Sequence, residues 1–162
     1  MRLLLAAAIL SLSAITACSG GSSTDSAAAT STADSAQVIL DRHVAAMKAG
    51  DLEAVMADYA DNALVLAPNG AVPGEANVGG FNVLDGKDKI SRLFAVLTGK
   101  ENAAAMASMT TTYEFKGSDV VLMHWVQFEG QPNEASGTDV WVIRDGKVIS
   151  QAVLLNPAPA GN

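Results

Sequence analysis

The stretch MTTTYEFKGSDVVLMHWVQFE, residues 109–129, decides the fold class. Met109, Thr111, Tyr113 and Phe115 alternate with Thr110, Thr112 and Glu114, the period of two that a strand with two unlike faces imposes. Lys116-Gly117-Ser118-Asp119 is a turn, after which Val120 to Glu129 resumes the alternation. There Val120, Leu122, His124, Val126 and Phe128 share one face, and Val121, Met123, Trp125 and Gln127 the other. Further on, Thr138–Arg144 and Lys147–Leu155 flank Asp145-Gly146, a dipeptide suited to the positive φ values of a tight hairpin. The second half of the chain therefore reads as an antiparallel meander.

Upstream of Gly99 the period is 3.6. Val38 to Ala49 carries Ile39, Leu40, His43, Val44, Ala46 and Met47 as a helical stripe, closed by Gly50. Asp51 caps a second helix with Leu52, Val55, Met56 and Tyr59 on one face and the acidic Glu53, Asp58 and Asp61 on the other, a solvated face. Ala63 to Ala67 is a short strand stopped by Pro68, a glycine-rich loop runs from Asn69 to Asn82, and a third helix spans Gly86 to Leu97. Helices followed by a meander predict an α+β domain with three helices packed on one face of a curved, mostly antiparallel sheet.

The 162 residues hold 17 acidic and 10 basic side chains, a net charge of −7, so the basic surface needed for a phosphate backbone is missing and nucleic acid is not expected as a partner. The single cysteine, Cys18, excludes an internal disulfide framework and a multi-thiolate zinc site. Phosphate-cradling glycine motifs, the GxSxG elbow and HExxH are absent, and no cofactor is implied.

Arg2, the apolar run Leu3–Leu10 and small residues up to Ala17 have the pattern of a secretory signal, too short for a comfortable membrane span. Ile15-Thr16-Ala17-Cys18 resembles the lipobox of bacterial lipoproteins. The resemblance implies a signal peptide at 1–17, removed to leave Cys18 acylated, and membrane attachment through that lipid. Ser19 stands where an Asp would mark inner-membrane retention, so the expected location is the outer membrane facing the periplasm. Residues 18–36, all small or polar, are expected to form a flexible linker, 37–156 the domain, and 157–162 a frayed tail.

Arg42 to Val55, followed by Tyr59-Ala60-Asp61-Asn62-Ala63, resembles the opening of SnoaL-like and ketosteroid-isomerase-like members of the NTF2-like superfamily. Leu84 to Ile90 is similar to the family's strand-to-helix junction, and Thr138 to Val148 to its closing hairpin. The resemblance implies an NTF2-like cone, a scaffold reused for enzymes and binding modules alike. In the isomerase branch it implies a helix tyrosine, a basic aspartate and a protonated aspartic acid, whose positions here hold His43, Ala67 and Asp139. Ala67 accepts no proton, which argues against the steroid-isomerase reaction.

Asp139, beside Trp141 and Ile143, and the two histidines, His43 and His124, are the candidate catalytic residues, since a His–Asp pair makes a general base. Two His and one Asp from separate elements lack the short ligand spacing of a metal site, so no metal is assigned. Tyr59, Trp141 and Phe128 are candidate ligand-pocket residues, while Val121, Met123 and Trp125 are expected on the opposite sheet face, covered by a second copy in a homodimer. Three readings follow: a small, mostly apolar ligand held in the cone; an isomerase, dehydratase or hydrolase using a His–Asp pair; or a non-catalytic partner-binding module.

Overall fold

The computed structural model describes residues 24–157, with side chains from residue 35 onward. The expected signal peptide and Cys18 lie outside the described residues. Helix α1 spans Thr24–Ala49, so it begins inside the stretch expected to act as a linker. Ala27, Ala28, Ala29, Ala33 and Ala36 favour helix, and no Gly or Pro interrupts the run. Its apolar stripe is buried as expected, and Gly50, at φ +71°, ends it while the Asp51 N–H bonds back to the Ala46 carbonyl.

Asp51 Oδ1 caps α2 by accepting from the Ala54 N–H at 3.0 Å, but α2 covers only Leu52–Ala57. The chain then extends, and β1 runs Tyr59–Pro68, longer than the strand expected at 63–67. The loop after it contains a two-residue strand β2, Asn77–Val78, and leads into β3, Phe81–Asp85, before α3, Lys87–Leu97. A single 3₁₀ turn, Lys100–Asn102, joins α3 to α4, Ala103–Ser108, so four α-helices rather than three stand among the described residues. The meander follows as β4 (Thr110–Lys116), β5 (Val120–Gln127), β6 (Ala135–Arg144) and β7 (Lys147–Leu155). The β6–β7 turn has Asp145 at φ +51° and Gly146 at φ +73°, the positive pair that a type I′ hairpin requires.

The seven strands form one sheet in the order β2-β3-β1-β7-β6-β5-β4, antiparallel throughout except for β1 beside β7. That parallel seam returns the end of the chain to the strand nearest its start. Helices α1, α2 and α3 pack over one face of the sheet, and α4 bridges α1 and β5. Leu40, Val55, Val65, Leu84, Ile90, Phe94, Trp141 and Val148 fill the space between, each almost wholly buried. Among the described residues no helix is long and apolar enough to cross a membrane.

Candidate functional site

Register builds the site. Across β5, β6 and β7, Trp125 pairs with Gly137 and Gly137 with Leu155; Met123 pairs with Asp139 and Asp139 with Val153; Val121 pairs with Trp141 and Trp141 with Gln151. The last rung continues to Val65 on β1. These residues sit two apart along each strand and thus share the face beneath the helices. Between that face and α3–α4 lies a cavity of about 480 Å³, walled mainly by Leu93, Phe94, Met106, Met109, Met123 and Trp125.

Asp139 is buried at the floor of this cavity. Its Oδ1 accepts from the Trp125 Nε1–H at 2.9 Å and its Oδ2 from the Gln151 Nε2–H at 2.7 Å. The Tyr59 hydroxyl donates to Gln151 Oε1, which fixes the amide so that its N–H faces Asp139. Burial pushes the Asp139 carboxyl up to about 6, and the two neutral donors only partly oppose the shift. Burial, with the charges of Asp139 and Asp58 added, holds the Tyr59 hydroxyl well above its usual value, so it remains a donor. A carboxyl near 6 exists in both protonation states close to neutrality.

Gly137 makes this arrangement possible. A Cβ at that position would fall 2.4 Å from Trp125 Cζ2 and 2.5 Å from the Leu154 carbonyl oxygen. The indole of Trp125 therefore lies across the space that a side chain at 137 would occupy, and from there its N–H reaches Asp139.

A second polar cluster sits behind the aromatic wall. His43, on α1, packs edge-on against Tyr59, Phe94 and Trp141 at ring-centroid distances of 5.7, 5.3 and 5.0 Å. Its Nδ1 is 3.4 Å from Asp58 Oδ2, and neither ring nitrogen has a hydrogen bond among the described residues. Burial lowers the His43 pKa, with Asp58 partly offsetting and Arg42 adding to the shift, so the ring is neutral at pH 7. Burial pushes the Asp58 carboxyl up, but His43 and the Arg42 guanidinium outweigh it and hold the group below its usual value. Arg42 Nε donates to Asp58 Oδ1 at 2.9 Å, and its Nη2 makes a second contact with the same oxygen.

With this geometry established, comparison with known proteins gives the family. The SnoaL-like domain matches residues 40–151, most of the chain and every strand of the cavity floor. The chain belongs to the SnoaL-like family. No curated protein matches its sequence. An NTF2-like protein of unknown function from Burkholderia xenovorans is 19% identical, with 80% of this chain and 90% of that one covered at a TM-score of 0.57. A Mycobacterium tuberculosis protein solved in complex with estradiol-17β-hemisuccinate is 18% identical, with 75% and 94% covered at 0.51. A de novo designed protein with a curved β-sheet is 13% identical, with 76% and 87% covered at 0.56. At such identities the likeness is one of fold, and a fold by itself specifies no activity.

Within the SnoaL-like domain the expected site residues separate. Asp139 and Trp141 line the cavity. The Trp141 Nε1–H is buried and has no hydrogen-bond partner among the described residues. Tyr59 does not line it; it stands one layer behind and acts through Gln151. His43 faces Asp58 rather than Asp139, so the expected His43–Asp139 pair does not form.

His124, expected to point into the cone, is on the solvent face with its side chain 48% exposed, Nδ1 being 2.9 Å from Thr138 Oγ1. The two faces of β5 are in fact the reverse of those expected: Val121, Met123 and Trp125 are inward, covered by the domain's own helices. The register Met123–Asp139 forces this, since Asp139 itself faces in. Phe128 lies beyond the end of β5 at φ +53°, where the alternation stops, and it stays outside the cavity. Asp58, expected on a solvated helix face, is buried, because α2 ends before it. Gln151, Trp125 and Gly137 went unremarked as site residues; only the pairing of β5, β6 and β7 reveals them. Among the described residues no group of three or more His, Cys, Asp or Glu is placed to hold a metal ion.

Proposed function

We propose that this chain is a lipid-anchored envelope protein whose SnoaL-like domain holds a small, mostly apolar ligand, with Asp139 as its polar anchor. The observation that carries the ligand reading is the apolar cavity of about 480 Å³ ending on one buried carboxylate. Small-molecule sites ordinarily have this form, an apolar wall with a few convergent polar groups. The steroid body of the conjugate in the similar Mycobacterium tuberculosis protein supports an apolar ligand; its hemisuccinate end carries a carboxylate and gives no support for the polar anchor.

Thermal-shift titration of the full chain with a panel of small apolar compounds tests the reading. A ligand at a hundred times its Kd stabilises by about 2.7 kcal/mol, and Asp139→Asn reduces that gain. No stabilisation by any apolar compound would refute it.

A second reading, a proton-transfer enzyme of the isomerase, dehydratase or hydrolase type, is favoured by the Asp139 carboxyl lying near 6. In this reading Asp139 works without His43, which faces away. Turnover of a cavity-binding compound, lost in Asp139→Asn, distinguishes it from simple binding.

The anchoring rests on Ile15-Thr16-Ala17-Cys18, with the outer membrane facing the periplasm as the proposed location. Mass spectrometry of the membrane fraction is expected to find a peptide starting at acylated Cys18, and Cys18→Ala to release the protein. A homodimer is proposed through the outward sheet face, where Leu64 and Leu154 are 36% and 41% exposed. Sedimentation of the delipidated chain checks it, a monomer at micromolar concentration refuting the proposal.

A further inference from the structure

We infer that the ligand of this cavity is a hydrophobic hydrogen-bond donor, foremost an amine that is cationic at neutral pH, and not a carboxylate or other anion. The inference rests on the ligand-binding reading above and adds its chemical class.

Among the described residues that line the cavity, Asp139 is the one ionisable side chain, and the others that carry polar groups are neutral amides and indoles. No Lys, Arg or His pairs with Asp139 among the described residues; its partners are the indole of Trp125 and the amide of Gln151. The direction of the network is fixed from behind. The Tyr59 hydroxyl occupies Gln151 Oε1, so the amide offers Asp139 an N–H and nothing that accepts. Each carboxylate oxygen thus holds one donor, while the two together have room for about four.

The protein has built a seat for a carboxylate and left its charge without a counter-ion. A bound ammonium supplies the missing positive charge and donors. A bound carboxylate sets two like charges together in a poorly solvated space. The walls suit the remainder of such a ligand: Met47, Met106, Met109 and Met123 offer soft, adaptable surface, and the rings of Trp125 and Trp141 favour both flat apolar bodies and nearby cations.

Isothermal titration of the full chain with three probes of one shape tests this: 2-naphthylmethylamine, 2-naphthalenemethanol and 2-naphthoate. At pH 8 the amine is expected to bind at least tenfold tighter than the alcohol, and the carboxylate weakest. In Asp139→Asn the amine is expected to fall to the level of the alcohol.

Should that variant not fold, the wild type serves by itself. With the carboxyl near 6, its ionised fraction rises about elevenfold between pH 5 and pH 8, so amine affinity rises about tenfold while alcohol affinity stays flat. Of the titratable groups packed nearby, Tyr59 stays protonated over this range, and His43 and Asp58 lie behind the aromatic wall.

If the alcohol binds and the carboxylate equals or exceeds the amine, the inference is overturned while the pocket reading stands. An amine preference that persists in Asp139→Asn, or a flat pH profile for the amine, also overturns it. If none of the three binds, both readings fail.

Discussion

Replacing Gly137 with alanine is a sharp test of the site's architecture, because the substitution adds one methyl group and no charge. The new Cβ would lie 2.4 Å from Cζ2 and 2.7 Å from Cε2 of Trp125, and 2.5 Å from the Leu154 carbonyl oxygen. The nearest of these is about 1 Å short of ordinary contact. The carbonyl belongs to the β6–β7 ladder, where Thr138 pairs with Leu154, and shifts little; the indole must move instead. Overpacking of this kind costs about 1–3 kcal/mol, and loss of the Trp125 bond to a charged acceptor about 1.5–3 kcal/mol more. The expected loss is therefore about 2.5–6 kcal/mol, read by denaturant unfolding. Two further signals follow, with Trp141→Phe present so that Trp125 is the sole indole: its emission shifts, and the Asp139 carboxyl titrates above its present value of about 6. Because Trp125 is the steric partner, Gly137→Ala is expected to cost at least about 1 kcal/mol less in a Trp125→Ala background. A loss below about 1 kcal/mol with unchanged emission and an unchanged Asp139 titration would refute the reasoning.

Other expectations follow from the two buried carboxylates. The Asp139 carboxyl is raised from 3.8 to about 6, so the native state binds more protons than the unfolded chain in that window, and stability falls as pH rises through it. The shift corresponds to about 3 kcal/mol, and Asp139→Asn is expected to lose this slope in unfolding measurements from pH 4 to 8, its amide NH2 facing one of the two donors and offsetting the gain from removing the charge. Asp58 behaves oppositely: its carboxyl is lowered, its contribution is present above 3.8 and lost as pH falls through the folded value, and Asp58→Asn is expected to cost about 2–4 kcal/mol at pH 7. His43 is held neutral, so the unfolded chain takes up its proton first as pH drops below 6.5 and stability falls with it. His43→Gln, measured by Tm from pH 5 to 7 in an Asp139→Asn background, is expected to flatten that slope.

Local patterns carried much of the fold. The stripe from Ile39 to Met47, the glycine closing α1 and the Asp145-Gly146 hairpin depend on neighbours in sequence, and each stands where periodicity put it. What failed was whatever depends on distant pairing. Alternation shows that β5 has two faces, yet both are largely apolar, and the long loop from Phe128 to Glu134 hides the register with β6. Local alternation therefore does not tell the inward face from the outward one, and His124 lies on the outward one. Asp58 continues the helical pattern of Leu52–Ala57, and nothing nearby in sequence shows that Arg42 and His43 await it. The strand β3 begins two residues inside the loop expected at 69–82, because Asn82 is polar; in the fold Asn82 is buried and donates to the Glu75 and Ala76 carbonyls.

Asp58 and Asp139 are both buried acids among the same aromatic rings, and the contrast between them separates scaffold from site. Asp58 ends α2, its backbone carbonyl accepts from the Val148 N–H, and its charge is met by Arg42 with His43 alongside. Arg42 and His43 outweigh burial, favour the anion and tie three elements together, so its chemistry is consumed in holding the fold. Asp139 receives only neutral donors, its charge is left uncompensated, and its carboxyl faces the one large apolar space beside it. A fold selected for stability alone gains nothing from such a group, since an apolar residue or a paired one would serve better. On the ligand reading proposed above, the burial of Asp139 is the cost of keeping a carboxylate ready for a bound molecule. The glycine at 137, the seating of Trp125 over it and the anchoring of Gln151 by Tyr59 hold that carboxylate fixed at the cavity.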